Sequence, residues 1–496
     1  MQLTSTSNPK PSARWLSLAG VGMGVLMATL DASIVNISLP AFVEIFETSF
    51  ATVQWVVLAY ILVITSLLLG AARLGDMLNK KHLYLTGLAL FTLGSVLCAL
   101  SNQIYWLIIC RAVQGLGAVF TQALGIAIIT QIFPASERGR ALGIMGSIVS
   151  IGIALGPPLG GLILSVASWH WIFLVNLPIG LAALFIVSRF IPSLPPLRPG
   201  QQFDRWGGLL LFFTLGLYAL GMTSGQQGGF DQPIVTISLS AAGVGMLAFL
   251  WLESRIRQPM VDLRLFRNIL FSMNLLMAFL VFIVMAGMFI LPFYLQLVLN
   301  LPSSMIGLLM MVHPIGMGVV APLAGYLSDR FGSRVISLFG LIAIAGGCLA
   351  LSTVREGMTP LQFFPRTLLF GLGMGLFQAP NNSAVMSTVP PERLGIGSGL
   401  LVLSRTLGQT TGLPLMGALF TASVLTAGGL TAGTDITTAG AAALVGGLQR
   451  TYHIAAGFIL TSTLIAVLAI WVDQRRKKLQ SLTEPAARVD SKPLSD

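Results

Sequence analysis

Asp31, in the stretch LDASIVNISLP from Leu30 to Pro40, places a carboxylate inside a run that is otherwise fit for hydrocarbon. The residues before it, WLSLAGVGMGVLMATL, carry no charge. A charged side chain at the middle of a membrane helix costs about 2.5–3.5 kcal/mol on insertion scales, so it tends to face a cavity and to have a task. Among the 17 acidic residues, Asp31 alone lies well inside an apolar segment. Arg111 is its candidate counterpart. Asp31 sits eight or nine residues before the segment's outer end near Pro40, and Arg111 six residues into a segment that starts near Tyr105. At 1.5 Å per residue both lie roughly 10–13 Å below the same edge, and equal depth permits a pair. Burial favours a neutral carboxyl and a nearby guanidinium favours a charged one, so opening and closing a cavity would swing proton binding. Two roles follow: Asp31 binds a coupling proton with Arg111 tuning it, or the two form a static pair pinning their helices.

Other polar groups stand inside apolar segments. His313, in MMVHPIGMG beside Pro314, has the one side chain here whose ordinary titration falls near neutrality. It is a candidate proton or substrate site, or a satisfied core histidine. Arg366 and Arg405 read either as cavity charges or as glue between a helix and neighbouring carbonyls. Gln114, one turn below Arg111, and Gln296 and Asn36 are candidate substrate contacts.

The elements that position these groups follow from composition. Of 496 residues, 55% are apolar and 9% charged, with a mean hydropathy of +0.86. Soluble domains carry about a quarter charged residues. Apolar runs of about 20 residues, each able to cross a ~30 Å hydrocarbon core as a helix, recur throughout. They are continuous rather than alternating, which excludes a barrel. The expectation is an all-α polytopic membrane protein with fourteen spans, at 15–39, 53–72, 83–101, 105–130, 141–165, 170–190, 206–224, 234–252, 269–292, 303–326, 335–353, 361–385, 396–421 and 453–472. The first span is too long, and too poor in small residues at its end, for a cleavable signal.

The net charge of +11 does not point to nucleic acid. Of 28 Lys and Arg residues, 23 fall on the even-numbered loops and the two tails, which by the positive-inside rule places both termini in the cytoplasm. DQRRKK after the last span reads as a stop-transfer and lipid-headgroup anchor. Cys98, Cys110 and Cys348 fall within spans without ligand spacing, so buried apolar packing is their expected role and they carry no redox or metal conclusion. The 20 Met and 28 Phe suit an adaptable greasy cavity, as they suit any lipid-facing bundle.

The chain also repeats. ARLGDMLNKK (72–81) and GYLSDRFGSR (325–334) share a pattern of small residue, Leu, small residue, Asp and basic residues, their aspartates Asp76 and Asp329 being 253 residues apart. Arg111 is echoed by Arg366, 255 residues on. The implied organisation is a tail (1–14), a six-helix half (15–190), a linker with two inserted helices (191–268), a second six-helix half (269–472) and a tail (473–496). Repeated halves with a site between them are the plan of secondary transporters. Loops are expected at 191–205, Pro-rich and polar, and at 422–452, rich in Gly, Ala and Thr. The last 20 or so residues, polar throughout, are expected to be disordered.

The motifs resemble a known family. GIMGSIVSIGIALGPPLGG, with Gly143, Gly152, Gly156-Pro157 and Gly160-Gly161 in register, fits the fifth-helix signature of the drug:proton antiporters of the major facilitator superfamily. LDASIVNISLP and SWHWIFLVNLPIG (168–180) look like the first-helix and fifth-to-sixth-helix motifs of its fourteen-span branch. The resemblance implies the major facilitator fold, export rather than uptake, and a loop aspartate that latches the halves in one state. Here that aspartate is Asp76, with Asp329 as its repeat, and Arg73, Gly75, Lys80, Arg138, Arg140 and Arg330 around the two copies. The first copy departs at Ala72, Met77 and Asn79, where Asn is expected to make the left-handed turn of the usual glycine. Independently of the family, glycines at four-residue spacing let another helix approach closely, and Pro157 bends its own helix.

The reading is a proton-coupled antiporter that exports lipophilic compounds, cations among them, by alternating access. It would act as a monomer in the plasma membrane of a bacterium, with protons, membrane lipids and a small substrate as partners and the proton gradient in place of a cofactor. A lipid, metabolite or siderophore exporter is the alternative within transport; a non-transporting sensor or scaffold is the alternative outside it. Walker loops, zinc spacings and catalytic triads are missing from the loops, so no enzyme is expected.

Overall fold

The computed structural model describes residues 11–194, 204–256, 259, 263–389, 394–431 and 434–483, which are helical apart from short connections. Fourteen long helices occur among them, and no strand: α1 Pro11–Ile45, α2 Phe50–Met77, α3 Lys80–Ala99, α4 Ile104–Ile132, α5 Ala135–Val166, α6 Trp171–Phe190, α7 Arg205–Gly228, α8 Pro233–Arg255, α9 Ile269–Leu297, α10 Ser303–Phe331, α11 Ser333–Leu351, α12 Pro360–Met386, α13 Leu394–Gly428 and α14 Ala441–Thr483. A single turn residue at Val175 interrupts α6, and a 3₁₀ turn at Gly287–Ile290 interrupts α9.

Thirteen of these are long and apolar enough to cross a membrane. The exception, α12, carries Gln362, Arg366, Gln378, Asn381 and Asn382, which lower its hydropathy without shortening it. At 27 residues it is still about 40 Å long, enough to span. Its neighbours are those of a spanning helix: α12 packs on α10 and α11 as α4 packs on α2 and α3.

The same pairings recur elsewhere. Helix α1 packs on α5 and α6, and α9 on α13 and α14; α3 packs on α6, and α11 on α14. Across these two groups, α5 lies on α10 and α2 on α13, a relation that exchanges first and second copies. The inserted helices α7 and α8 pack on each other, with α7 resting on both α2 and α13.

The two copies of the loop motif turn differently. Asn79, at φ −69°, is not left-handed; its side chain accepts from the Lys81 N–H and caps α3. Gly332, its counterpart, does adopt φ +90° between α10 and α11. Asn offers a capping oxygen that glycine lacks, so the extended conformation is repaid by a hydrogen bond. The predicted loop at 422–452 is mostly helix, the ends of α13 and α14, because its Ala residues propagate helix well and only Gly429–Gly440 links them. Likewise α14 runs through DQRRKK to Thr483. Of the linker and the tail, 195–203 and 484–496 lie outside the described residues.

The end of the bundle at which α1 begins and α14 finishes is called the terminal face below. The opposite face holds the larger apolar cluster, which joins both groups of helices: the Phe50 ring on α2 meets Phe289, Phe293 and Phe420 at 5.6, 4.8 and 5.8 Å.

Candidate functional site

Asp31 and Arg111 meet. Their pair measures 2.5 Å between Oδ2 and Nη1, with both residues fully buried. Three more helices complete the cage. Gln114, one turn along α4 from Arg111, accepts from Nη1 at 2.6 Å and donates to Asp31 Oδ1 at 2.8 Å. Asn176 on α6 donates to the same oxygen at 2.9 Å. Ser95 on α3 accepts from Gln114 at 2.8 Å and from Asn176 at 3.3 Å. Arg111 Nε donates to the Val56 carbonyl on α2 at 2.9 Å, and its guanidinium lies 4.3 Å from the Tyr60 ring centre. A buried ion pair repays its desolvation only when further hydrogen bonds meet its remaining donors and acceptors; here Gln114, Asn176 and the Val56 carbonyl supply them, while Asn176 Oδ1 itself stays unpartnered. Gln114, read from sequence as a substrate contact, therefore belongs to the charge network. Ser95 and Asn176 were missed; the one available signal was Asn176 as the lone amide in WHWIFLVNLPIG.

The second half keeps the frame and drops the chemistry. Gly115 on α4 packs on the Tyr60 carbonyl, and Gly371 on α12 packs on the His313 carbonyl. Gly94 fits against Gln114, and Gly347 against Phe370. By these contacts His313 replaces Tyr60, Phe370 replaces Gln114, Cys348 replaces Ser95 and Thr367 replaces Arg111. Arg366 is thus one residue away from the equivalent place, about 100° around the helix. It reaches outward, donating to the Ala350 carbonyl and Thr353 at 3.1 Å each and to the Gln362 carbonyl, where a cation complements the C-terminal end of α11. His313 is buried beside Phe370, ring centres 5.4 Å apart, with Nε2 unpartnered. The remaining charge, Arg405 on α13, bonds Asn382 on α12 and lies over Phe282 of α9 at 5.3 Å.

The glycine motif divides between two partners. A Cβ at Gly152, Gly156 or Gly160 would strike Thr29, Ser33 or Ile34, so this face of α5 fits α1 in its own half. Gly161 instead abuts the Ser303 carbonyl of α10, and Gly307 of α10 abuts Pro157 and Pro158. Helix α5 stays unbroken through Pro157. Eleven residues from that contact, three turns toward the terminal face on each helix and on the same faces, Gly146 and Gly318 both look onto open space. The two helices touch toward the opposite face, and about 16 Å along each axis toward the terminal face neither Gly146 nor Gly318 has a neighbour in reach. Further bridges between the halves are Thr65–Thr410 at 2.9 Å, Gln54 against Gly417, and Gln296 to Glu44 at 2.8 Å. Gln296, expected in the cavity, is thus an exposed tie at the opposite face. Asn36 keeps one buried, unpartnered oxygen.

The side chains of Asp76, Arg138, Arg140 and Asp329 in the predicted gate, and Gly143 of the glycine motif, lie outside the described residues. Gly75 allows α2 to approach Leu124 of α4, and Lys80 is buried at the start of α3. Arg73 bonds the Pro259 carbonyl before α9. Burial pulls its guanidinium below the ordinary range, opposed by Glu253 and Asp204. Arg330 is exposed and lies over Phe331 at 5.3 Å. Among the described residues, no three His, Cys, Asp or Glu side chains gather as a metal would require.

This architecture has known relatives. The sequence profile described as Major Facilitator Superfamily matches residues 21–413 and, in a second overlapping match, 275–495. The chain belongs to the Major Facilitator Superfamily. Among relatives within the superfamily, it is 35% identical over 412 residues to the riboflavin transporter RibZ of Clostridioides difficile, covering 83% of this chain and 89% of that protein. It is also 35% identical over 409 residues to the multidrug resistance protein Stp of Mycobacterium tuberculosis, covering 82% and 76%. A solved bacterial homologue of the human lysosomal transporter Spinster shares the fold with a TM-score of 0.64 at 17% identity, over 93% of this chain and 97% of that one.

Proposed function

We propose that this superfamily member is a proton-coupled exporter of lipophilic compounds that works by alternating access. The observation that carries the reading is the α5–α10 seam, tight at Pro157–Gly307 and Gly161–Ser303 and open at Gly146 and Gly318. Two repeated halves that touch through glycine and proline backbone at one end can rock to touch at the other. The positive-inside bias places the terminal face in the cytoplasm, so cargo enters the open end from there and leaves when the seam reverses. A relative named for multidrug resistance supports export of drug-like molecules. A relative named for riboflavin transport supports a metabolite cargo as the second reading.

In the coupling scheme a proton takes Asp31 when rocking draws Arg111 away. One proton moving down 100 mV supplies about 2.3 kcal/mol. The complete enclosure of the pair equally suits a static pin between α1 and α4, and one substitution separates the two. With Asp31→Asn in everted vesicles, the coupling role predicts normal protein levels and loss of proton-driven transport. Transport at the normal rate removes that role, and loss of folded protein favours the pin. Cross-linking tests the rocking itself: cysteines at Gly146 and Gly318 should join only when the terminal face closes, because a disulfide needs Cα atoms within roughly 7 Å.

A further inference from the structure

Among the described residues, the buried Asp31 and Arg111 charges of the first half are matched and Arg405 in the second is not, and the mismatch points to a class of cargo. Asp31 has nothing left for a cationic compound: it is fully buried, and both oxygens accept from Arg111, Gln114 and Asn176. Arg405 is the converse. Its guanidinium makes one hydrogen bond, to Asn382, is backed by the Phe282 ring, and leaves Nε buried without a partner. Among the described residues no carboxylate pairs with it; the ion pairs there are Arg14–Glu137, Asp31–Arg111 and Arg334–Asp473. Arg405 is part-buried and lies five residues nearer the terminal face than Thr410, whose bond to Thr65 bridges α2 and α13 between the halves. That is about 7–8 Å along α13, on the terminal side of that bridge.

A part-buried cation held against an apolar ring, with one nitrogen buried and unpartnered, is costly until an opposite charge joins it. The flat guanidinium fork suits oxyanions in particular, and it repels cations of any shape. We propose that Arg405 is the cargo-binding cation of this transporter and that its substrates are apolar compounds carrying an oxyanion such as a carboxylate or sulfonate. This assignment rests on the export reading above and narrows it, setting lipophilic cations aside.

The test uses the full-length protein and three probes: radiolabelled taurocholate and laurate as anionic amphiphiles, and ethidium as a cation. In everted vesicles the wild type should transport at least one anion and leave ethidium untouched. Arg405→Gln should lower anion transport by about tenfold or more, as loss of one partner of a desolvated charge pair does. Arg405→Lys should restore part of it, and Arg405→Glu should admit ethidium. Binding to protein in nanodiscs separates the two readings. If transport fails but wild-type protein retains an anion that Arg405→Gln releases, the site stands and the export reading falls. Transport of ethidium by the wild type, or anion binding equal in wild type and Arg405→Gln, overturns the proposal.

Discussion

The two six-helix halves share a glycine-built frame and differ in what that frame encloses. In the first, Asp31, Arg111, Gln114, Asn176 and Ser95 form a closed polar network. In the second, the corresponding places hold Thr367, Phe370 and Cys348, and α9 carries no charged residue at all. Packing and chemistry have therefore separated. The close helix approaches at Gly115 and Gly371 are needed in both halves, whereas a buried ion pair is needed in only one. A charge in the second half must then find another solution: Arg366 turns to carbonyls at the end of α11, and Arg405 is left with an amide and a ring.

The sharpest test is to break the first network and compare. Arg111→Gln leaves the buried Asp31 carboxylate without its cation and should destabilise the protein by about 3–5 kcal/mol, the usual cost of orphaning a buried charge. Thermal unfolding in detergent measures it. Asp31→Leu together with Arg111→Met makes the first half resemble the second, and most of that stability should return while any coupling role is lost. Recovery of less than half would show that the amides and Ser95 depend on the pair for their own placement.

A smaller effect is expected at His313, whose Nε2 has no partner. His313→Phe removes a buried unsatisfied group and should be neutral or stabilising by about 1 kcal/mol, with the pH dependence of transport unchanged. A shifted pH profile would make this histidine part of the proton path. The smallest effect belongs to Arg366→Gln, which removes a cation from a helix C-terminus and should cost about 0.3–1 kcal/mol. A loss as large as that of Arg111→Gln would erase the contrast between the halves.

Much of this architecture is legible in the amino-acid sequence. The apolar runs mark the spans, and equal depth in antiparallel segments pairs Asp31 with Arg111. The Arg366 echo misleads, because matching arginines slips α12 by one residue, and one residue turns a side chain by about 100°. Matching the GLG runs at 115–117 and 371–373 gives the register that the contacts adopt. Asn176 and Ser95 are invisible as ligands of Asp31, since spacing along a chain says nothing about which helices of a bundle stand side by side.

What the sequence determined by itself is what depends on short-range physics: hydrocarbon length, the rarity of a carboxylate in an apolar run, and the small residues that let helices close. Tertiary structure alone decided which hydrogen bonds complete the cage around Asp31, which face of the glycine motif meets α1 and which meets α10, and that Arg405 has no carboxylate among the described residues. Those outcomes depend on the rotation and neighbours of each helix, which are set by the packing of many side chains at once rather than by any local stretch.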